Sequence, residues 1–287
     1  MVARLALLIL FALTPLLTAE PLQAAAAPRC LTCHPPHYRE QASCRHCHRG
    51  NEATSRRELA HGGLIGRAYA GFSDPRNRFV LAGQRLAQQA ACRRCHRMEG
   101  RGNRLAADLD LLALTASPAQ LAAAIDKPAL YMPDFRFTRS DRDLLITALL
   151  AGAHRTPSAA VEPPRSVHFS QSERQRSHPF ALRCGGCHRT LSAGSGPWGS
   201  GTSAPDLSGL FSPYYPASFP GRLPWTAERL QRWLTNPVKL RAFTLMRPIP
   251  LQDDELRKIV ELLTDSGSRQ EPAATGEVGT YNNQLKR

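Results

Sequence analysis

Cys184-Gly185-Gly186-Cys187-His188 has three relatives in the chain: Cys30-Leu31-Thr32-Cys33-His34, Cys44-Arg45-His46-Cys47-His48 and Cys92-Arg93-Arg94-Cys95-His96. Each sets two cysteines three apart with a histidine directly after them. At that spacing two thioether bonds can hold one porphyrin while the histidine reaches its iron. All eight cysteines of the 287 residues lie in these four motifs. Paired C-x-x-C knuckles can also hold zinc, form disulfides or act as redox dithiols, but none of those uses explains a histidine after every pair. The motifs therefore predict four covalently bound haem c groups, with His34, His48, His96 and His188 as the proximal iron ligands.

Outward from the motifs, residues 1–26 read as a secretory signal, with Arg4 ahead of an apolar run from Leu5 to Leu17 and Ala24-Ala25-Ala26 at the cleavage position. The run is too short for an ordinary membrane span. An exported protein of the periplasm or the outer face of the cell envelope is the expectation, and it agrees with haem attachment outside the cytoplasm. The net charge of +14 survives signal removal, because Arg4 and Glu20 leave together. A basic exported chain favours redox partners with acidic docking surfaces, or peripheral association with an anionic membrane. A signal peptide argues against nucleic acid.

The first two motifs are too close together for two helical cores, so residues 27–66 read as an irregular dihaem module packed largely on its own haems. No methionine is available there, which leaves histidine to fill the distal iron positions. His37 and His61 are the candidates, His37 for the second haem and His61 for the first; His46 sits inside its own attachment loop, poorly placed for that loop's iron.

From about residue 78 the texture becomes helical. A helix through Gly83-Gln84-Arg85-Leu86-Ala87 runs into Cys92. Ser117-Pro118-Ala119-Gln120 starts a second helix, which stops before Pro128. Tyr131-Met132-Pro133 follows, and a last helix capped by Ser140 closes at Gly152 with His154 solvated beyond it. Residues 155–167 form a Pro-rich linker. Beyond it the plan repeats over 168–267: Phe180 ahead of Cys184, a Gly/Ser/Pro-rich loop over 192–224, a helix capped by Thr226, Met246-Arg247-Pro248, and a closing helix through Leu256, Ile259, Val260 and Leu263. Residues 268–287 are a polar, disordered tail. The fold class expected is mainly α, with helical domains at 78–154 and 168–267 behind the dihaem module.

These two units resemble class I cytochrome c domains in their order of helix, C-x-x-C-H, helix ending at an x-Pro, Met near Pro, and final helix. The resemblance implies Met132 and Met246 as distal ligands opposite His96 and His188. The second unit departs from it, with Met-Arg-Pro in place of Met-Pro and a leading helix that contains Pro179 and lacks the usual Gly, so His168 and His178 stay rivals to Met246. The N-terminal segment is similar to the dihaem part of multihaem c-type cytochromes. The whole order resembles, more weakly, exported cytochromes of selenite/tellurite-reductase or extracellular-electron-conduit gene clusters. The function implied is an electron relay through bis-His and His/Met haems, with no catalytic residue. The alternative is a multihaem reductase or peroxidase that keeps one iron position open.

Overall fold

The computed structural model describes residues 28–38, 43–129, 131–156 and 173–265. The expected signal peptide and tail lie outside them, as do most of the Pro-rich linker and His168. The fold is mainly α. Short elements come first: α1 (Cys44–His48) and α2 (Arg57–Ala60), then a 3-10 helix at Arg67–Ser73. Next are α3 (Arg78–Gln89), α4 (Leu109–Thr115), α5 (Pro118–Asp126) and α6 (Arg139–His154). The C-terminal part holds α7 (Glu173–Arg176), α8 (Pro179–Arg183), the hairpin strands β1 (Thr190–Ser192) and β2 (Gly196–Trp198), α9 (Ala227–Thr235), α10 (Pro237–Leu240) and α11 (Asp253–Thr264). None of the described helices is long and apolar enough to cross a membrane.

The helix boundaries follow local chemistry. In α5, Ser117 Oγ accepts from the Gln120 N–H and the Gln120 side chain accepts from the Ser117 N–H, a reciprocal capping box. Thr138 rather than Ser140 caps α6, because its hydroxyl reaches the Asp141 N–H and takes the helix start two residues earlier. Thr226 caps α9 through the Arg229 N–H.

Two cores organise the chain. In the first, α6 is buried on every side from Leu145 to Ala153, because α3, α4, α5 and the Arg67–Ser73 turn all pack around it. The α3 and α6 backbones approach at Gly83, where a Cβ would stand 2.0 Å from the Leu144 carbonyl oxygen, so only glycine fits. Ile65 and Phe72 belong to this same core, which fastens the N-terminal haem motifs to the first helical unit. Tyr69 adds a hydrogen bond to Asp143 at 2.9 Å, and Arg49 donates to the Leu114 carbonyl at 3.1 Å. In the second core, Phe180 and Trp198 pack with Leu230 and Leu234 of α9 and Ile259, Leu262 and Leu263 of α11. The hairpin is tied to the end of α11, since Asp265 accepts from the Ser192 hydroxyl and, at 2.8 Å, from the Gly194 N–H.

Candidate haem sites

All four motifs adopt one helical turn. The N–H of the histidine donates to the carbonyl of the first cysteine at 3.0 Å in His34 and His96 and at 2.9 Å in His188, and the second motif forms α1 itself. Residues three apart share one side of such a turn, which sets both sulfurs to that side with the histidine next to them. Ala91, in the left-handed region at φ 53°, breaks the chain from α3 into the third motif, and His178 with Pro179 starts α8 into the fourth. No two of the eight cysteines are joined as a disulfide. Burial pushes the Cys92 and Cys184 thiols up to about 11, the opposite of the activated thiolate of a redox dithiol.

The second ring nitrogen of three motif histidines is committed. Nδ1 of His48 lies 3.1 Å from the Ile65 carbonyl oxygen, that of His96 2.8 Å from Ala107, and that of His188 2.7 Å from Pro205. A carbonyl can only accept, so in each ring Nδ1 carries the proton and Nε2 is left with its lone pair for a metal. The sequence marks none of these three carbonyls, because a backbone acceptor leaves no residue-type signal.

Two histidine pairs face each other in the N-terminal segment. His34 and His61 have ring centroids 6.0 Å apart at 41°, and His37 and His48 have theirs 5.8 Å apart at 81°. An iron held between two imidazoles needs about 2 Å for each metal–nitrogen bond and about 1 Å more to each ring centre, roughly 6 Å in all. Both pairs fit that span. His61 is placed by its position as the C-cap of α2, its N–H donating to the Arg57 carbonyl at 3.0 Å. His46 goes elsewhere, its ring centroid 4.6 Å from that of His154 in an edge-on contact. His154 is half-buried against Phe72, contrary to the solvated position expected for it. Burial, with the charges of His46 and Arg49, holds its pKa below the ordinary imidazole value.

Met132 and Met246 each stand on the segment before the last helix of their unit, half-buried. The Met246 sulfur accepts from the Trp233 indole N–H at 3.0 Å, which leaves its other lone pair for a metal. Met98 is fully buried in the first core. His178 caps α8, its Nδ1 accepting from the Phe180 N–H at 3.1 Å with its ring against Trp198. That commitment ties one nitrogen of this rival to the fold.

The loop after the fourth motif runs directly over the motif backbone. A Cβ on Gly201 would lie 2.3 Å from the Cys187 carbonyl carbon and 2.5 Å from its Cα, where no side chain can be placed. Gly201→Ala is expected to destabilise the second unit by about 1–3 kcal/mol through overpacking. The measurement is the thermal midpoint of the haem-loaded protein followed at the fourth haem, with the first unit's transition unchanged.

No curated protein and no solved structure matches the chain. Residues 79–148, about a quarter of the sequence, match the family model described as cytochrome C oxidase, cbb3-type, subunit III. The match spans α3, the third motif, Met132 and most of α6, and with the geometry above it makes this segment a c-type cytochrome domain, a haem-binding electron-transfer unit.

Proposed function

We propose that the chain is an exported tetrahaem c-type cytochrome that relays electrons between redox partners. The observation that carries this reading is the pair of facing histidine couples, His34 with His61 and His37 with His48, at the span an iron needs. These four imidazoles would hold an iron on both sides and leave it no open position for substrate, and such a group would supply electron transfer rather than bond-making chemistry. In the later units His96 and His188 offer Nε2, and Met132 and Met246 are the proposed distal donors. The chain's own residues bind and orient the groups: thioethers from the eight cysteines anchor them, the backbone carbonyls of Ile65, Ala107 and Pro205 hold three proximal rings, and the two cores exclude water from one side of each later motif.

Intact mass with haem quantitation tests this directly. Four covalent haems per chain and no carbon monoxide binding by the reduced protein are expected. Fewer haems would remove the tetrahaem reading, and stoichiometric carbon monoxide binding by the unaltered protein would favour a reductase or peroxidase. The formal charge of +14 also gives a kinetic expectation: electron transfer is faster to acidic than to basic partners and slows as ionic strength rises. Stopped-flow rates across a salt series would show it, and a flat series would remove the acidic-partner proposal.

A further inference from the structure

The carboxylate of Asp206 stands between the third and fourth motifs. Its Oδ2 is 3.3 Å from Nε of Arg189, the residue after His188, and its Oδ1 is 3.8 Å from Nη2 of Arg94, inside the third motif. The side chain is 9% exposed, so solvent screens these pairs weakly. Oδ2 takes no hydrogen bond of good geometry, and Arg189 therefore acts on it as a charge. The backbone joins the same two motifs: the Asp206 carbonyl accepts from Arg94 at 3.4 Å, while the preceding carbonyl, Pro205, accepts from Nδ1 of His188 at 2.7 Å.

Around Asp206 the two units meet through their attachment loops. Asn103 donates to the Arg94 carbonyl and to the Ser212 hydroxyl, both at 2.8 Å, and Gly209 packs against the same Arg94 carbonyl. Tyr131, next to Met132, donates to the Gly199 carbonyl, and Arg189 lies 5.3 Å above its ring. Segments on both sides of the third haem site are thus fastened to the loops of the fourth.

We infer that Asp206 is a shared positioning residue for the third and fourth haems, setting both reduction potentials and joining the two sites into one electron-exchanging pair. The inference rests on the reading of His96 and His188 as proximal ligands. A buried negative charge favours the ferric over the ferrous state of any iron near it, because the ferric centre carries one more positive charge. Asp206 lies against both motifs, so one carboxylate acts on two irons. Glu99 supplies the contrast: it pairs with Arg93 at 2.6 Å and with Arg155, the residue that caps the end of α6.

The test is a spectroscopic redox titration of the full haem-loaded chain with Asp206→Asn, which keeps the shape and removes the charge. Two of the four midpoint potentials are expected to rise, each by a several-fold to tenfold change in the reduction equilibrium, where tenfold is 59 mV for one electron. Glu99→Gln should raise only one. A shift in one potential or none with Asp206→Asn would overturn the inference. If that variant does not load haem, Arg189→Gln decides, because losing a positive charge should lower the same two potentials, and a drop in one alone counts against it. The unaltered chain separates this inference from the functional reading: four one-electron steps report on the relay, and the response of two of them to Asp206 reports on the pairing.

Discussion

His61→Ala is expected to turn a chain that binds no carbon monoxide into one that binds one per molecule. His61 faces His34 across 6.0 Å, and no other imidazole is in ring contact with His34 among the described residues. On the proposed assignment, removing the ring would open one position at the first haem and should give a high-spin spectrum. His37→Ala should do the same for the second iron, whose proximal His48 faces His37 at 5.8 Å, and the double variant should bind two. His46→Ala should bind none, because that ring packs on His154. The fold should survive each change, since this segment is fastened to the first core through Ile65 and Phe72 rather than through the distal rings. The measurement is a carbon monoxide titration of the reduced variants, and His61→Ala and His37→Ala proteins that stay unreactive would remove both distal assignments.

Met132→His and Met246→His are each expected to lower one potential by roughly 0.1–0.3 V, a fraction of the about 0.8 V window that axial ligands span. A thioether is a weak donor that favours ferrous iron, whereas a second imidazole favours ferric. On the proposed tetrahaem reading, the haems should therefore fall into two classes before mutation, the N-terminal pair low and the later pair high, with electrons running downhill toward the C-terminal units. The Trp233 indole N–H on the Met246 sulfur, at 3.0 Å, draws density from that thioether and works in the same direction. Each substitution should also abolish one sulfur-to-iron charge-transfer absorption. A single cluster of potentials in the titration, or an absorption that persists in Met246→His, would return His178 or His168 to the fourth iron.

The elements that could be read from the sequence are those whose signals are local. The Ser117–Gln120 capping box, the Thr226 cap and the apolar face of α11 are written within one or two turns of chain, and each is found where the spacing puts it. The C-x-x-C-H motifs are legible for the same reason, as five consecutive residues that each form one turn. α4 also carries a local signal, since Asp108 ahead of Leu109, Leu111 and Leu112 is a cap before an apolar run. The β1–β2 hairpin gave none: three-residue strands in a Gly/Ser-rich stretch are stabilised by Asp265, more than seventy residues on. The ring pairings of His34 with His61 and His37 with His48, and the Asp206 bridge, lie in the same category, since they arise from which segments meet.

The attachment of the N-terminal motifs to α6 has a consequence for the order of events in biogenesis. Ile65 and Phe72 bury themselves against residues of Leu145–Ala153, and the Arg49 and Tyr69 bonds close loops of 65 and 74 residues onto Leu114 and Asp143. If the chain is exported as proposed, it crosses the membrane N-terminus first, so the two leading motifs would meet their packing partners only after more than seventy further residues have crossed. Loop closure over such separations is slow compared with the forming of a helical turn. For that interval Cys30, Cys33, Cys44 and Cys47 would remain on unfolded chain, open to haem attachment, and the late arrival of α6 would set the time within which the proposed N-terminal haems must be joined.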